Sequence, residues 1–268
     1  MQLRRLLLTF CFSSLFSLAY MPVSGQRVAK HPTAIAHSHN DYLQPQPLVL
    51  ALKHRFGSLE ADIFLINDSL FVAHTRAEIE AEKTLKRMYL EPLSSFFDQQ
   101  KEKLYRSPNA PLQFLIDLKT PYEGTLRKLV EELEPYRHLL FPDGPVKVVI
   151  SGNTPPPDLF GQYPPYIFFD GRPEISYNVE QIKKLGLISQ SFTKYSRWKG
   201  QGPIPKEDAD SLRKVIQNAH RVGKPFRFWA NPDNKDGWEA LLKMRVDYLN
   251  TDRIEELTSY LLERKTSK

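Results

Sequence analysis

Residues 58–64 read SLEADIF, a run of strand length in which two carboxylates interrupt an apolar context. In a strand, residues i and i+2 share a face, so Glu60 and Asp62 aim at one place. Charges inside an apolar strand are costly unless they are paired or bind metal. Residues 113–120, QFLIDLKT, repeat the arrangement with Asp117 and Lys119. Whether these two runs are neighbouring strands of one sheet decides the fold.

Working outward, short apolar runs alternate with helical stretches. Strands are expected at 33–39, 58–64, 113–118, 146–151, 166–170, 187–192, 225–230 and 246–250. An extended return at 70–74 follows a turn at 67–69. Helices are expected at 47–55, 91–104, 122–136, 179–185, 205–222, 238–244 and 254–264. In the fifth of these, Leu212, Val215, Ile216 and Ala219 recur on one helical face. Strands alternating with helices indicate parallel βαβ units. Eight units over about 240 residues indicate a single (β/α)8 TIM-type barrel, an α/β fold. A doubly wound open sheet is the alternative, but no Gly-x-Gly-x-x-Gly follows the first strand.

The 268 residues are 41% hydrophobic and 25% charged, enough for one sizeable core. Arg4 and Arg5 precede an apolar run to Tyr20, and Val23-Ser24-Gly25 offers small residues for cleavage. Residues 1–25 therefore read as a signal peptide rather than a membrane anchor, with the barrel domain at 26–268. A secreted or periplasmic location is the expectation that follows. Cys11, the one cysteine, lies inside that segment, so disulfides and thiolate chemistry are excluded from the rest of the chain. The net charge is +6, or about +4 without Arg4 and Arg5. That mild excess suits an anionic substrate, and no basic run with interleaved aromatics points to nucleic acid.

In a barrel the reactive groups sit where strands end. The first strand ends in His37, His39, Asn40 and Asp41; the return after the second ends at His74; the fifth ends in Asp170, with Arg172 beyond. A His-x-His zinc clamp at His37 and His39 would need later strand histidines. Beyond position 74 there are only His138 and His220, which follow or lie in helices. No Gly-x-Ser-x-Gly elbow is present either. Glu60, Asp62 and Asp117 form a hard-oxygen set that suits one divalent cation, Mg²⁺ or Ca²⁺. The competing reading is a buried salt-bridge network with Lys119, although one lysine cannot neutralise three carboxylates. His37 and His74 then supply an imidazole pair for acid–base cleavage of a phosphodiester. Lys119 neutralises the phosphate.

The segments AHSHND, LEADI, VAH, IDLKT and FWANPD…DYLNTD together resemble the barrel phosphodiesterases. These include glycerophosphodiester phosphodiesterases, phosphatidylinositol-specific phospholipases C and sphingomyelinase D. Closest in style are secreted bacterial members and the fungal "altered inheritance of mitochondria" proteins, which share the His-Ser-His-Asn-Asp-Tyr-like opening. The resemblance implies His37 and His74 as catalytic residues and Glu60, Asp62 and Asp117 as metal ligands. It implies Asn40, Lys119, Trp229 and Asn250 as substrate or phosphate contacts. His39, Asp41, Asp170 and Arg172 remain as supporting residues. Glycerophosphodiesterases open with His-Arg-Gly, where this chain has His37-Ser-His.

The function expected is a metal-dependent phosphoric diester hydrolase acting as a monomer on a glycerol- or lipid-type substrate. The alternative is a catalytically silent barrel that binds a phosphorylated envelope ligand. Phe192, Tyr195 and Trp198 either form a rim for transient membrane-surface contact or pack against the barrel.

Overall fold

The computed structural model describes residues 31–99 and 111–266. The strands are β1 (Ala36–Ser38), β2 (Ser58–Ile66), β3 (Ser69–Val72), β4 (Leu112–Leu118), β5 (Val146–Gly152), β6 (Ile167–Gly171), β7 (Leu185–Ser191), β8 (Phe226–Trp229) and β9 (Leu249–Thr251). The helices are α1 (Val49–Lys53), α2 (Glu91–Gln99), α3 (Tyr122–Leu133), α4 (Val179–Lys183), α5 (Lys206–Arg221), α6 (Lys235–Lys243) and α7 (Ile254–Thr266).

Strand order is β8-β7-β6-β5-β4-β2-β1-β9, and all neighbours along it are parallel. A bridge between Arg227 and Tyr248 brings β8 to β9, so eight parallel strands form a nearly closed (β/α)8 barrel. β3 stands outside the ring, antiparallel on β2, as the return of a hairpin.

Several expected boundaries shift for local reasons. The segment expected to open the first strand at Thr33 is a 3₁₀ turn over Pro32–Ile35. Proline sits at its start, and the His31 ring accepts the Thr33 N–H. Between β5 and β6 the connection is a 3₁₀ segment, Pro157–Gln162, rather than an α-helix. Pro156 is extended ahead of it, and Pro157 opens it at the first position, where a missing N–H costs nothing. The helix expected to reach residue 104 is described only to Gln99.

Two apolar layers hold the barrel. Outside, the strands pack against helix faces; α5 buries Ala209, Leu212, Val215, Ile216 and Ala219, the stripe that the sequence periodicity marks. Inside, Leu115, Val149 and Leu187 form a small plug with Phe168 and Tyr248. A Cβ at Gly186 would lie 2.5 Å from Val149 Cγ2, so glycine is what lets β7 close on this plug. Phe192 is buried, and Tyr195 and Trp198 pack on the core. Phe192 is thus enclosed, while Tyr195 and Trp198 remain half-buried.

Candidate active site

Register carries the polar residues to one end. His37 pairs with Ser58 on one side and Asn250 on the other, and Asp62 lies level with Asp117. Asp117 in turn lies level with Ser151. With the plug filling the lower barrel, Glu60, Asp62, Asp117, Asp170, Arg227 and Asn250 all line the C-terminal mouth. This is the end where a barrel presents its reactive groups.

The carboxylates come together as expected. Glu60, Asp62 and Asp117 each offer an oxygen within 4.8 Å of the others. Lys119 Nζ lies 2.9 Å from Asp62 Oδ2 and 3.5 Å from Asp117 Oδ1. Burial, then the charge of Glu60, raises the Asp62 carboxyl against the pull of Lys119. Burial likewise pushes Asp117 up to about 6. Asp62 Oδ1 is buried and has no hydrogen-bond partner. Gly152, at φ +72°, passes so close to Asp117 that a Cβ would sit 2.0 Å from its Oδ1. Three hard-oxygen donors with an unsatisfied oxygen among them fit a divalent cation of the Mg²⁺ or Ca²⁺ type.

Arg227, which sequence reasoning placed on a strand without a role, proves central. Its Nη1 donates to Glu60 Oε2 at 2.7 Å and to Asn250 Oδ1 at 3.0 Å, and it also contacts His37 Nε2. Burial disfavours the Glu60 charge, but Arg227 and His37 hold the carboxyl well below the usual range. The signal was present in the sequence: a charge inside the apolar run PFRFWA needs a buried counter-charge, as Glu60 does.

The two histidines of the HSH motif separate. His37 is 0% exposed. Its Nδ1 lies 2.7 Å from Ser58 Oγ and its Nε2 2.8 Å from Glu60 Oε2. Whichever nitrogen carries the proton, both are taken up by protein. Burial and the adjacent Arg227 cation push His37 down to about 3, against the pull of Glu60. The His37 side chain, expected as an acid–base group, is thus enclosed behind Glu60.

His39, expected as a supporting residue, is the one whose side chain reaches solvent, at 27% exposure. Its Nδ1 lies 2.8 Å from Asp252 Oδ1. Burial works against the charged ring, but Asp252 and the nearby Glu60 carboxylate outweigh it and hold His39 above the usual histidine value. His74 is 52% exposed, with Nδ1 3.4 Å from Asp62 Oδ2. Tyr42, also unforeseen, joins the two sides. Its Oη lies 2.8 Å from Asp62 Oδ2, 3.0 Å from Asn40 Oδ1 and 3.3 Å from His74 Nδ1.

The remaining candidates divide. Asp41 is buried away from the carboxylate cluster. It accepts from Ser38 Oγ, the Leu48 N–H and Tyr89 Oη, and so ties the loop after β1 to α1. That tether supports Leu48 at φ 62°, a conformation a leucine adopts only under constraint. Asp170 and Arg172 form a separate pole across the mouth. Asp170 Oδ2 receives Arg172 at 2.7 Å together with Ser151 and Ser189. Trp229 stands at the rim, 38% exposed.

Comparison with known proteins places the chain among relatives. The AIM6-like phosphodiesterase domain matches residues 28–170. The chain is 28% identical over 274 residues to altered inheritance of mitochondria protein 6 of Eremothecium gossypii, covering 84% of this chain and 68% of that protein. It is 26% identical over 259 residues to the homologue of that protein in Arthroderma benhamiae, with coverages of 84% and 82%. In fold it resembles the crystal structure of a glycerophosphodiester phosphodiesterase from Parabacteroides distasonis, with TM-score 0.58 and 16% identity over 86% of this chain and 97% of that one. The relatives are named for the inheritance of mitochondria, which overturns the secreted or periplasmic location expected above. Residues 1–25, on which the signal-peptide expectation rests, lie outside the described part of the chain.

Proposed function

The chain belongs to the AIM6-like phosphodiesterase domain family, and from that premise we propose that it is a metal-dependent phosphoric diester hydrolase acting on a glycerol- or lipid-type diester. One observation carries the reading. Two solvent-reaching histidines, His39 and His74, stand at the same barrel mouth as the Glu60, Asp62 and Asp117 cluster with Lys119.

The assignment of roles follows accessibility. A general acid or base must reach the proton it moves. Both His37 nitrogens are engaged by protein, at Ser58 Oγ and Glu60 Oε2, so it is a positioning residue for Glu60. His39, oriented by Asp252, and His74, beside Asp62 and Tyr42, form the acid–base pair. One takes the proton of the attacking hydroxyl, and the other returns a proton to the leaving oxygen. Lys119 meets the charge on the phosphoryl oxygens, and Asn40 and Asn250 lie within reach of the same space. When bound at Glu60, Asp62 and Asp117, a hard divalent cation adds Lewis-acid neutralisation of that phosphoryl group. Attack by a substrate hydroxyl gives a cyclic phosphate first; attack by water gives a monoester and an alcohol.

The test is hydrolysis of an aryl phosphodiester by the full chain with Mg²⁺ or Ca²⁺, with ³¹P spectra of the products. Activity lost on chelation and restored by the cation is the expected result. A cation-loaded, folded protein that is inert on a broad panel of diesters would end the proposal.

A further inference from the structure

The opposite end of the barrel holds charge that the mouth does not use. Lys147 is the second residue of β5 and shares the inward-facing register of Val149 and Ser151. Its ammonium lies below the apolar plug, 4.6 Å from the centroid of the Phe168 ring and 5.8 Å from that of Phe141. Among the described residues its one polar contact is long, 3.5 Å to the Gly186 carbonyl. Lys224, just before β8, donates to the preceding carbonyl, that of Leu185, at 2.8 Å. Two ammonium groups therefore sit on consecutive carbonyls of β7. Among the described residues neither makes an ion pair with a carboxylate. A nearby third lysine, Lys184, is satisfied differently, by the carbonyls of Tyr163 and Pro164.

A largely enclosed ammonium with three donors and one weak acceptor is unfavourable, and a second cation beside it makes it more so. An aromatic face offsets only part of this. Among the described residues the arrangement lacks negative charge. We infer that the N-terminal end of the barrel is a second binding site, in which Lys147 and Lys224 clamp a small tetrahedral oxyanion such as phosphate. Burial and the charge of Lys224 push Lys147 down to about 8, and burial does the same to Lys224. Both directions agree with cations that have no anion beside them. Lysine serves such ligands as a point charge with adaptable donors.

The site is distinct from the phosphate-facing residues of the mouth, which lie beyond the plug of Leu115, Val149 and Leu187. Its test uses the chelator-treated full chain and inorganic phosphate, read by thermal shift and by titration calorimetry. Wild type should show a saturable rise in Tm. Lys147→Met and Lys224→Met should each weaken phosphate binding at least tenfold, while Lys119→Met, in the mouth, should retain the floor site. Lys147→Met removes the charge and the N–H donors and keeps most of the apolar stem, and Lys147→Gln serves as a second variant if the first folds poorly. Diffraction from crystals soaked in tungstate should place the oxyanion between Lys147 and Lys224. Phosphate binding that is unchanged in both lysine variants, or no saturable binding in wild type, would overturn the inference.

Discussion

His37 and His39 are separated by one residue and share a strand direction, yet they meet opposite surroundings. His37 lies level with Ser58 and Asn250 inside the barrel wall. His39 lies past the last residue of β1, where its N–H donates to Thr251 and the chain turns through Asn40 at φ 42°. One step up the barrel axis, direct contact with Glu60 and Arg227 gives way to Asp252 and partial exposure, with Glu60 still acting from nearby. The deeper ring is pushed below the usual histidine value and the shallower one is raised above it. Depth along the barrel, more than residue type, sets the chemistry of each imidazole.

The largest expected effect tests that contrast directly. His39→Ala and His74→Ala should each lower kcat by about 10²–10⁴-fold on an aryl phosphodiester, with Tm close to wild type. If His39→Ala keeps full activity, the contrast as drawn is broken. His37→Ala should instead act on stability. It strands Ser58 and the Glu60–Arg227 pair in the interior, and urea unfolding should show a loss of about 2–4 kcal/mol. A stable, fully folded His37→Ala protein would place that ring among the reacting groups after all.

Lys147 extends the comparison one level further down, and its effect on stability is smaller. Burial and the charge of Lys224 push its amine down to about 8 in the fold, from an ordinary lysine value of about 10.5 in the unfolded chain. Between those values the unfolded chain binds more protons, so stability rises with pH across that window. In phosphate-free buffer Lys147→Met should be more stable than wild type by about 1–3 kcal/mol at pH 7, and the difference should vanish near pH 11. A difference that does not change with pH would show that the amine's charge is not what matters. The smallest expected effect concerns Asp252. Its hydrogen bond raises His39, so Asp252→Asn should move one limb of the pH–rate profile to lower pH while leaving Tm unchanged. A profile that does not move would remove Asp252 from the site.

Much of this was legible in the sequence, and the gaps have physical causes. Charged residues within strand runs announced the mouth, because Glu60, Asp62 and Asp117 could not sit in an apolar sheet without a shared purpose. The same rule applied to Arg227 would have paired it with Glu60. Asp41 was harder. Nothing in AHSHNDY says which polar residue turns inward to hold the loop and which outward, since that depends on the left-handed turn at Asn40. The HSH motif misleads for a related reason. Alternation along a strand predicts which face a side chain takes but not how far up the barrel the strand ends. Tyr42 gave no signal at all, as its reach to Asp62 and His74 is a product of the 3₁₀ turn Asp41–Leu43.

The ring of strands is thinnest between β8 and β9, where one bridge, two amide bonds to the Phe226 carbonyl and the Phe226 N–H donating to Asp247 Oδ2 make the closure. Arg227 stands on that seam. From β8 its guanidinium reaches Glu60 on β2, His37 on β1 and Asn250 on β9. It works as a rivet, since the residue that fixes the charge of Glu60 also fastens the weakest joint of the wall. Breathing of the seam and loss of the reactive arrangement are therefore one event. Amide hydrogen exchange at Tyr248 should follow the same opening free energy as inactivation.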